Sequence, residues 1–173
     1  FYARFPDMGG LIVNTTPAGM YPRVEGCPID AAHLTSIVAR ADGEIVGYAM
    51  GSRMTQELVS QALWKAVKWK RPEAGLILHS DRGSQYCSHG YRKLIEQFGL
   101  RASMSRRGNC YDNAPMESFW GKLKQEWLNG QHFRTREEAK AAVFWYIEIY
   151  YHRKRLHAGN GYKTPISIAA MAA

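Results

Sequence analysis

Asp81 and Glu117 are the residues whose types and spacing promise chemistry. Asp81 follows the apolar run Leu76-Ile77-Leu78 and sits in the polar cluster His79-Ser80-Asp81-Arg82-Gly83-Ser84-Gln85-Tyr86. Glu117 lies in Asn113-Ala114-Pro115-Met116-Glu117-Ser118-Phe119-Trp120, which reads as the first turns of a helix. An acid at a strand end and another early in a later helix can hold a divalent cation between them. Mg²⁺ or Mn²⁺ suits such a pair, because hard cations take carboxylate oxygens and keep positions open for substrate oxygens. Near a phosphodiester, paired ions of this kind clamp the attacking and leaving oxygens. That chemistry calls for a third carboxylate. Read alone, Asp81 also suits the capping of a turn before Gly83, and Glu117 suits any helix; the pairing and its setting favour the metal reading.

The setting is basic. Across 173 residues, 23 Lys and Arg face 15 Asp and Glu, giving a formal charge of +8. Such an excess favours a polyanion as partner. Arg106-Arg107 and Arg153-Lys154-Arg155 are the basic groups most suited to phosphate. No apolar run is long enough to span a bilayer and no signal peptide is visible, so a cytoplasmic protein with no membrane partner is expected. The cysteines, Cys27, Cys87 and Cys110, are scattered, which argues against a disulfide framework and a structural zinc site. The chain begins with Phe1, as a fragment or processed piece would.

The elements that must position the two acids are legible from residue 35 onward. Asp42-Gly43 between two β-prone runs predicts a hairpin of Thr35–Arg40 with Glu44–Met50. Thr55 caps a helix to about Trp69, with Leu58, Val59, Ala62, Leu63, Ala66 and Val67 on one face, and Pro72 and Gly75 end it. Leu76–Ser80 is too short for a helix and reads as a buried strand beside an early strand, which sets Asp81 just past a carboxyl end, where open α/β sheets bind ligands. Ser88 caps a helix closed by Gly99, and Arg101–Ser105 is a further strand. The Glu117 helix runs from about Asn113 to Leu128. Met116, Trp120, Leu123 and Trp127 form its core stripe; Asn113, Glu117, Gly121 and Lys124 form a polar one, with a small residue for close approach of a partner. Thr135 and Glu138 make a capping box for a last helix reaching the basic run, after which the tail from His157 reads as loop. Residues 1–34 are broken by Gly and Pro, with Leu11-Ile12-Val13 a possible first strand. His79 reads as a buried histidine bonding its neighbours, and His157 as part of a packing or DNA-facing surface.

With these motifs in place, the chain resembles the integrase-like catalytic core of bacterial insertion-sequence transposases, relatives of the retroviral integrases. The resemblance covers roughly Gly43 to Pro165. Its most specific parts are His79 to Tyr86 and Cys110-Tyr111-Asp112-Asn113-Ala114-Pro115-Met116-Glu117-Ser118-Phe119-Trp120. Tyr151, Arg155, His157 and Gly161-Tyr162-Lys163-Thr164-Pro165 look like the family's terminal signature. The resemblance implies an α/β, ribonuclease-H-like fold: a mixed sheet with helices on both faces, followed by C-terminal helices, over residues 35–168. It also implies a metal-dependent polynucleotidyl transferase that joins mobile-element ends to target DNA as a homo-oligomer, using Mg²⁺ or Mn²⁺.

Asp81 matches the second catalytic aspartate of the family and Glu117 its glutamate. Lys124 matches a DNA-contacting position, and Asn113, Arg106, Arg107 and Arg155 complete the expected DNA contacts. The first aspartate belongs to an Asp-x-Thr segment on the first strand. Here Asn14-Thr15-Thr16 carries Asn at that place, and Asp30 is the other candidate position. The alternative is therefore an inactive, DNA-binding remnant, produced by divergence or a frame change in the encoding element.

Overall fold

The hairpin at Asp42-Gly43 sets the first edge of the sheet. In the computed structural model, which describes residues 11–15, 36–40, 42–106 and 114–171, strands β2 (Ser36–Arg40) and β3 (Ile45–Ala49) pair antiparallel. Gly43 adopts φ +85°, which L side chains rarely take. Its N–H donates to the Arg40 carbonyl at 2.9 Å, and Asp42 Oδ1 accepts from Glu44 N–H at 2.9 Å.

The expected early strand is present. β1 (Leu11–Thr15) pairs antiparallel with β2 and parallel with β4 (Ile77–Ser80), and β4 pairs parallel with β5 (Arg101–Met104). The order is β3-β2-β1-β4-β5. This is the mixed sheet expected from the sequence, and burial along β2 shows how both its faces are covered. Val38 belongs to one apolar cluster, while Ile37 and Ala39 belong to another, as the two-residue period of a strand requires.

The Val38 side is covered by α1 (Gln56–Lys70), a single turn α2 (Ser84–Cys87) and α3 (His89–Gln97). Thr55 and Ser88 cap α1 and α3 through side-chain bonds to Leu58 N–H and Tyr91 N–H. Helix α1 ends on Arg71, in the left-handed region at φ 44°, one residue before the proline expected to stop it. Gly47 lies against α1, where an added Cβ would meet the Ala62 carbonyl.

The opposite side is covered by α4 (Ala114–Leu123) and α5 (Arg136–Trp145). Both continue into π-helical turns, Lys124–Leu128 and Tyr146–Tyr151, where the sequence predicts uninterrupted α-helix. The widened turns accompany a flat stack of Trp127 on Trp145, with centroids 4.5 Å apart and planes at 13°. Thr135 caps α5 at Glu138 N–H, while the Glu138 carboxylate accepts from Arg134 N–H at 2.7 Å, one residue before the partner a capping box would use.

The tail expected as loop holds a 3₁₀ turn (Ala158–Asn160) and helix α6 (Pro165–Met171). Thr164 Oγ1 accepts from Ser167 N–H at 3.3 Å. Pro165 fits a first turn, where its missing N–H is not needed. Among the described residues no helix is long and apolar enough to cross a membrane.

Gly47 and Gly121 give opposite expectations. Gly47→Ala forces a Cβ against backbone and should destabilise by about 1–3 kcal/mol. Gly121→Ala meets nothing within 4 Å and should stabilise by about 0.5–1 kcal/mol. Urea unfolding of both variants checks the pair; equal stabilities would contradict the packing of β3 on α1.

Candidate active site

Strand β4 delivers Asp81 at its carboxyl end, and β5 holds the exit in place. Ser105 N–H donates to the Ser80 carbonyl at 2.9 Å, and Arg82 Nε donates to the Ser105 carbonyl at 2.8 Å. His79 is buried, with its Nδ1 3.0 Å from Ser103 Oγ and its Nε2 3.2 Å from Ser105 Oγ. The Ser105 hydroxyl gives its one proton to the Ser80 carbonyl, which assigns the imidazole proton to Nε2. The expected buried histidine is therefore a tie between β4 and β5, with both ring nitrogens engaged.

Asp81 Oδ1 accepts from Gly83 N–H at 2.8 Å, so the turn-capping role is real. It is not sufficient compensation. Burial pushes the Asp81 carboxyl above its ordinary range, and the Gly83 N–H opposes this only in part. A carboxylate drawn from water with one N–H beside it is short of positive charge.

Glu117 is placed by the opposite face of its helix. Met116, Phe119, Trp120 and Leu123 are buried, while Glu117, Ser118 and Gly121 are exposed. Lys124 follows on the same stripe at the start of the π turn, half-buried, and burial lowers its pKa.

Register locates the first-strand position. Leu11 pairs with Leu78 and Ile12 with His79, so the same register carried two residues further sets the backbone of Asn14 level with Asp81. Asp30 lies outside the described residues, as do Asn113 and Arg107. Arg106 is exposed where the chain leaves β5, at the same sheet edge as Asp81. Among the described residues no three His, Cys, Asp or Glu side chains cluster. Asp81 is a carboxylate at this edge, and a carboxylate suits a hard divalent cation better than zinc, while His79 has no nitrogen to spare.

Arg155 is engaged within the chain. Its Nε and Nη2 bind both oxygens of Glu126 at 2.8–3.0 Å, and Nη1 donates to the Leu156 carbonyl. Tyr146 Oη donates to the same carboxylate at 2.9 Å. The guanidinium expected on DNA phosphate thus ties the end of the last long helix to the π turn after α4. His157 packs edge-on against Tyr151, with centroids 4.7 Å apart. Burial first, then the Arg155 charge, lowers its pKa to about 4, so it is neutral at pH 7. The Ser105 tie and the Glu126 partner are not readable from sequence, because each depends on which strands or helices become neighbours.

Comparison with known proteins follows the same lines. A family model described as integrase core domain matches residues 21–110, over half of the chain, and a second of the same description matches residues 98–165. The chain belongs to the integrase core domain family. Members of that family similar to it include the transposase for insertion sequence element IS904 of Lactococcus lactis subsp. lactis (strain IL1403), 50% identical over 122 residues, which are 70% of this chain and 48% of that protein. Transposase InsF for insertion sequence IS3A of Escherichia coli (strain K12) is 44% identical over 121 residues, covering 70% and 42%. An insertion element IS600 uncharacterized 31 kDa protein of Shigella sonnei is 59% identical over 122 residues, covering 70% and 45%. The chain thus spans about half the length of the curated relatives it matches. Among solved structures, the catalytic core domain of BIV integrase aligns with TM-score 0.62 at 15% identity, covering 93% of this chain and 94% of that one. A chain of the simian T-cell lymphotropic virus intasome in complex with PP2A regulatory subunit B56 gamma aligns with TM-score 0.58 at 14% identity, covering 87% and 51%. These likenesses establish the ribonuclease-H-like fold of integrase cores.

The raised Asp81 pKa has a signed consequence. The folded chain holds that proton more tightly than the unfolded one, so the contribution favours folding at low pH and is lost as pH rises through the raised value. Asp81→Asn keeps an acceptor for Gly83 and removes the burdened charge. Without metal ions, the variant should melt above the wild type at pH 7, with the gap closing below the ordinary aspartate value of about 4. A gap that is constant from pH 3 to pH 7 would contradict the assignment.

Proposed function

We propose that this domain is the catalytic domain of an insertion-sequence transposase, performing metal-dependent DNA strand cleavage and strand transfer. The observation that carries the reading is Asp81: a carboxylate at the carboxyl end of a strand paired on both sides, partly buried and short of positive charge. Asp81 and Glu117 would hold Mg²⁺ or Mn²⁺, which supplies nucleophile activation and charge stabilisation at phosphorus. In cleavage, a water oxygen bonds to phosphorus and the bond to the 3′ oxygen breaks. In transfer, the freed 3′ hydroxyl oxygen bonds to phosphorus of a target phosphodiester, and the bond to the target strand's own 3′ oxygen breaks, leaving that oxygen as a new 3′ hydroxyl. Neither step leaves the protein covalently modified.

The chain's own part is to position. Ser105 and His79 fix the Asp81 loop, and the aromatic underside of α4 fixes Glu117. Lys124, beside the exposed Gly121, would meet phosphate, as would Arg106, Arg107 and Asn113. Arg155 serves the fold through Glu126. The partners are the element's ends and target DNA, and transfer of two ends calls for a homo-oligomer.

One observation supports a second reading. The Asn14 backbone stands at the register position level with Asp81, and its residue type is a neutral amide and not the carboxylate that the family's first-strand position calls for. A remnant that binds DNA with impaired chemistry follows from that reading.

Strand transfer between an end-mimicking duplex and a plasmid separates the two. Asp81→Asn or Glu117→Gln should lower Mg²⁺-dependent product by about 10²-fold or more, with no loss of melting temperature and with DNA binding retained. Full activity in either variant would sink the metal assignment. Asn14→Asp should raise activity of the wild-type chain if the remnant reading holds, and leave it unchanged if another group completes the site.

A further inference from the structure

Strands β1, β3, β4 and β5 all run in one direction, since β2 is antiparallel to both β1 and β3 and the remaining pairs are parallel. Their carboxyl ends therefore share one sheet edge, and an arginine follows the end of each of the last three: Arg53 after β3, Arg82 after β4 and Arg106 after β5. All three are exposed.

The two edges treat their cations differently. At the hairpin edge, basic groups meet acids: Arg40 lies 3.5 Å from Asp42 and 3.6 Å from Glu44, and Lys70 lies 2.7 Å from Glu44. At the carboxyl edge, no carboxylate among the described residues pairs with Arg53 or Arg82. Glu57, the nearest acid in sequence to Arg53, is held by its own backbone N–H and by Thr55. Arg82 is anchored through Nε to the Ser105 carbonyl, which fixes the stem and leaves the terminal amino groups without a partner among the described residues.

We propose that Arg53 and Arg82, with Arg106 at the far end, form a phosphate-binding track for duplex DNA that crosses the carboxyl edge of the sheet from β3 to β5 and passes over Asp81. This deepens the transposase reading and rests on it. Four strand spacings separate β3 from β5, about 19 Å, or roughly five to six base-pair steps of duplex at 3.4 Å each. Arginine suits the task, since its planar fork matches phosphate oxygens. The path runs across the strands, so Arg53 contacts the duplex several steps away from the phosphate being processed.

Fluorescence anisotropy of a labelled duplex titrated with this chain, repeated across salt concentrations, tests the track. Each phosphate contact removed should reduce the slope of log affinity against log salt by about 0.9. Arg53→Gln and Arg82→Gln should each show that loss and the double variant about twice it, with melting temperatures retained. Arg82→Lys should keep the slope, whereas a purely structural Arg82 would lose affinity equally as Lys or Gln without a change of slope. Lys68→Gln, at the opposite edge, should leave the slope alone. A double variant with the wild-type slope, or a Lys68→Gln loss as large as either arginine's, overturns the track while leaving the transposase reading standing. A wild-type chain whose duplex binding shows no salt dependence overturns both.

Discussion

β4 is hydrogen-bonded on both sides, to β1 and to β5, and Asp81 is the residue it releases. The proposed chemistry depends on that placement. The loop leaving β4 is stitched to β5 by Ser105 through its N–H, hydroxyl and carbonyl, and His79 reinforces the stitch from below. The result is a partly buried carboxylate with no cation paired to it among the described residues. Such an arrangement opposes folding at neutral pH. Stability surrendered at one carboxylate is a recurrent feature of sites kept for a ligand.

The second acid is placed by packing. Phe119 sits edge-on to Trp120, Tyr146 and Tyr151, and each aromatic pair adds about 0.5–1.5 kcal/mol beyond the area it buries. Burial of each large side chain under α4 contributes about 1.5–3 kcal/mol. The Arg155–Glu126 pair, partly open to solvent, contributes about 1 kcal/mol or less. Packing therefore decides which way α4 faces, and the ion pair refines how its end meets the last helix. With the underside committed to the core, Glu117, Gly121 and Lys124 have only the outer face to occupy.

Local signals in the sequence were sufficient for local structure. Asp42-Gly43 marked the hairpin, Thr55 and Ser88 marked two helix starts, and the stripe through Met116 to Leu123 separated core from polar face on α4. What lay hidden was set by neighbours distant in the chain. The π turns accompany Trp127 meeting Trp145, and Arg155 was drawn from solvent by Glu126, twenty-nine residues earlier. The tail helix was masked by its glycines, although Thr164-Pro165 carried a start signal. Asn14 shows the limit most clearly. Its place in an Asn-x-Thr segment was readable, but its position level with Asp81 emerged only from the pairing of β1 with β4.

Loss of the free Mn²⁺ electron paramagnetic resonance signal on titration with this chain tests the central claim most directly, that Asp81 and Glu117 share a divalent cation. The account predicts saturable Mn²⁺ uptake that is lost in Glu117→Gln while the fold melts as before. Uptake unchanged in Glu117→Gln and in Asp81→Asn would contradict it.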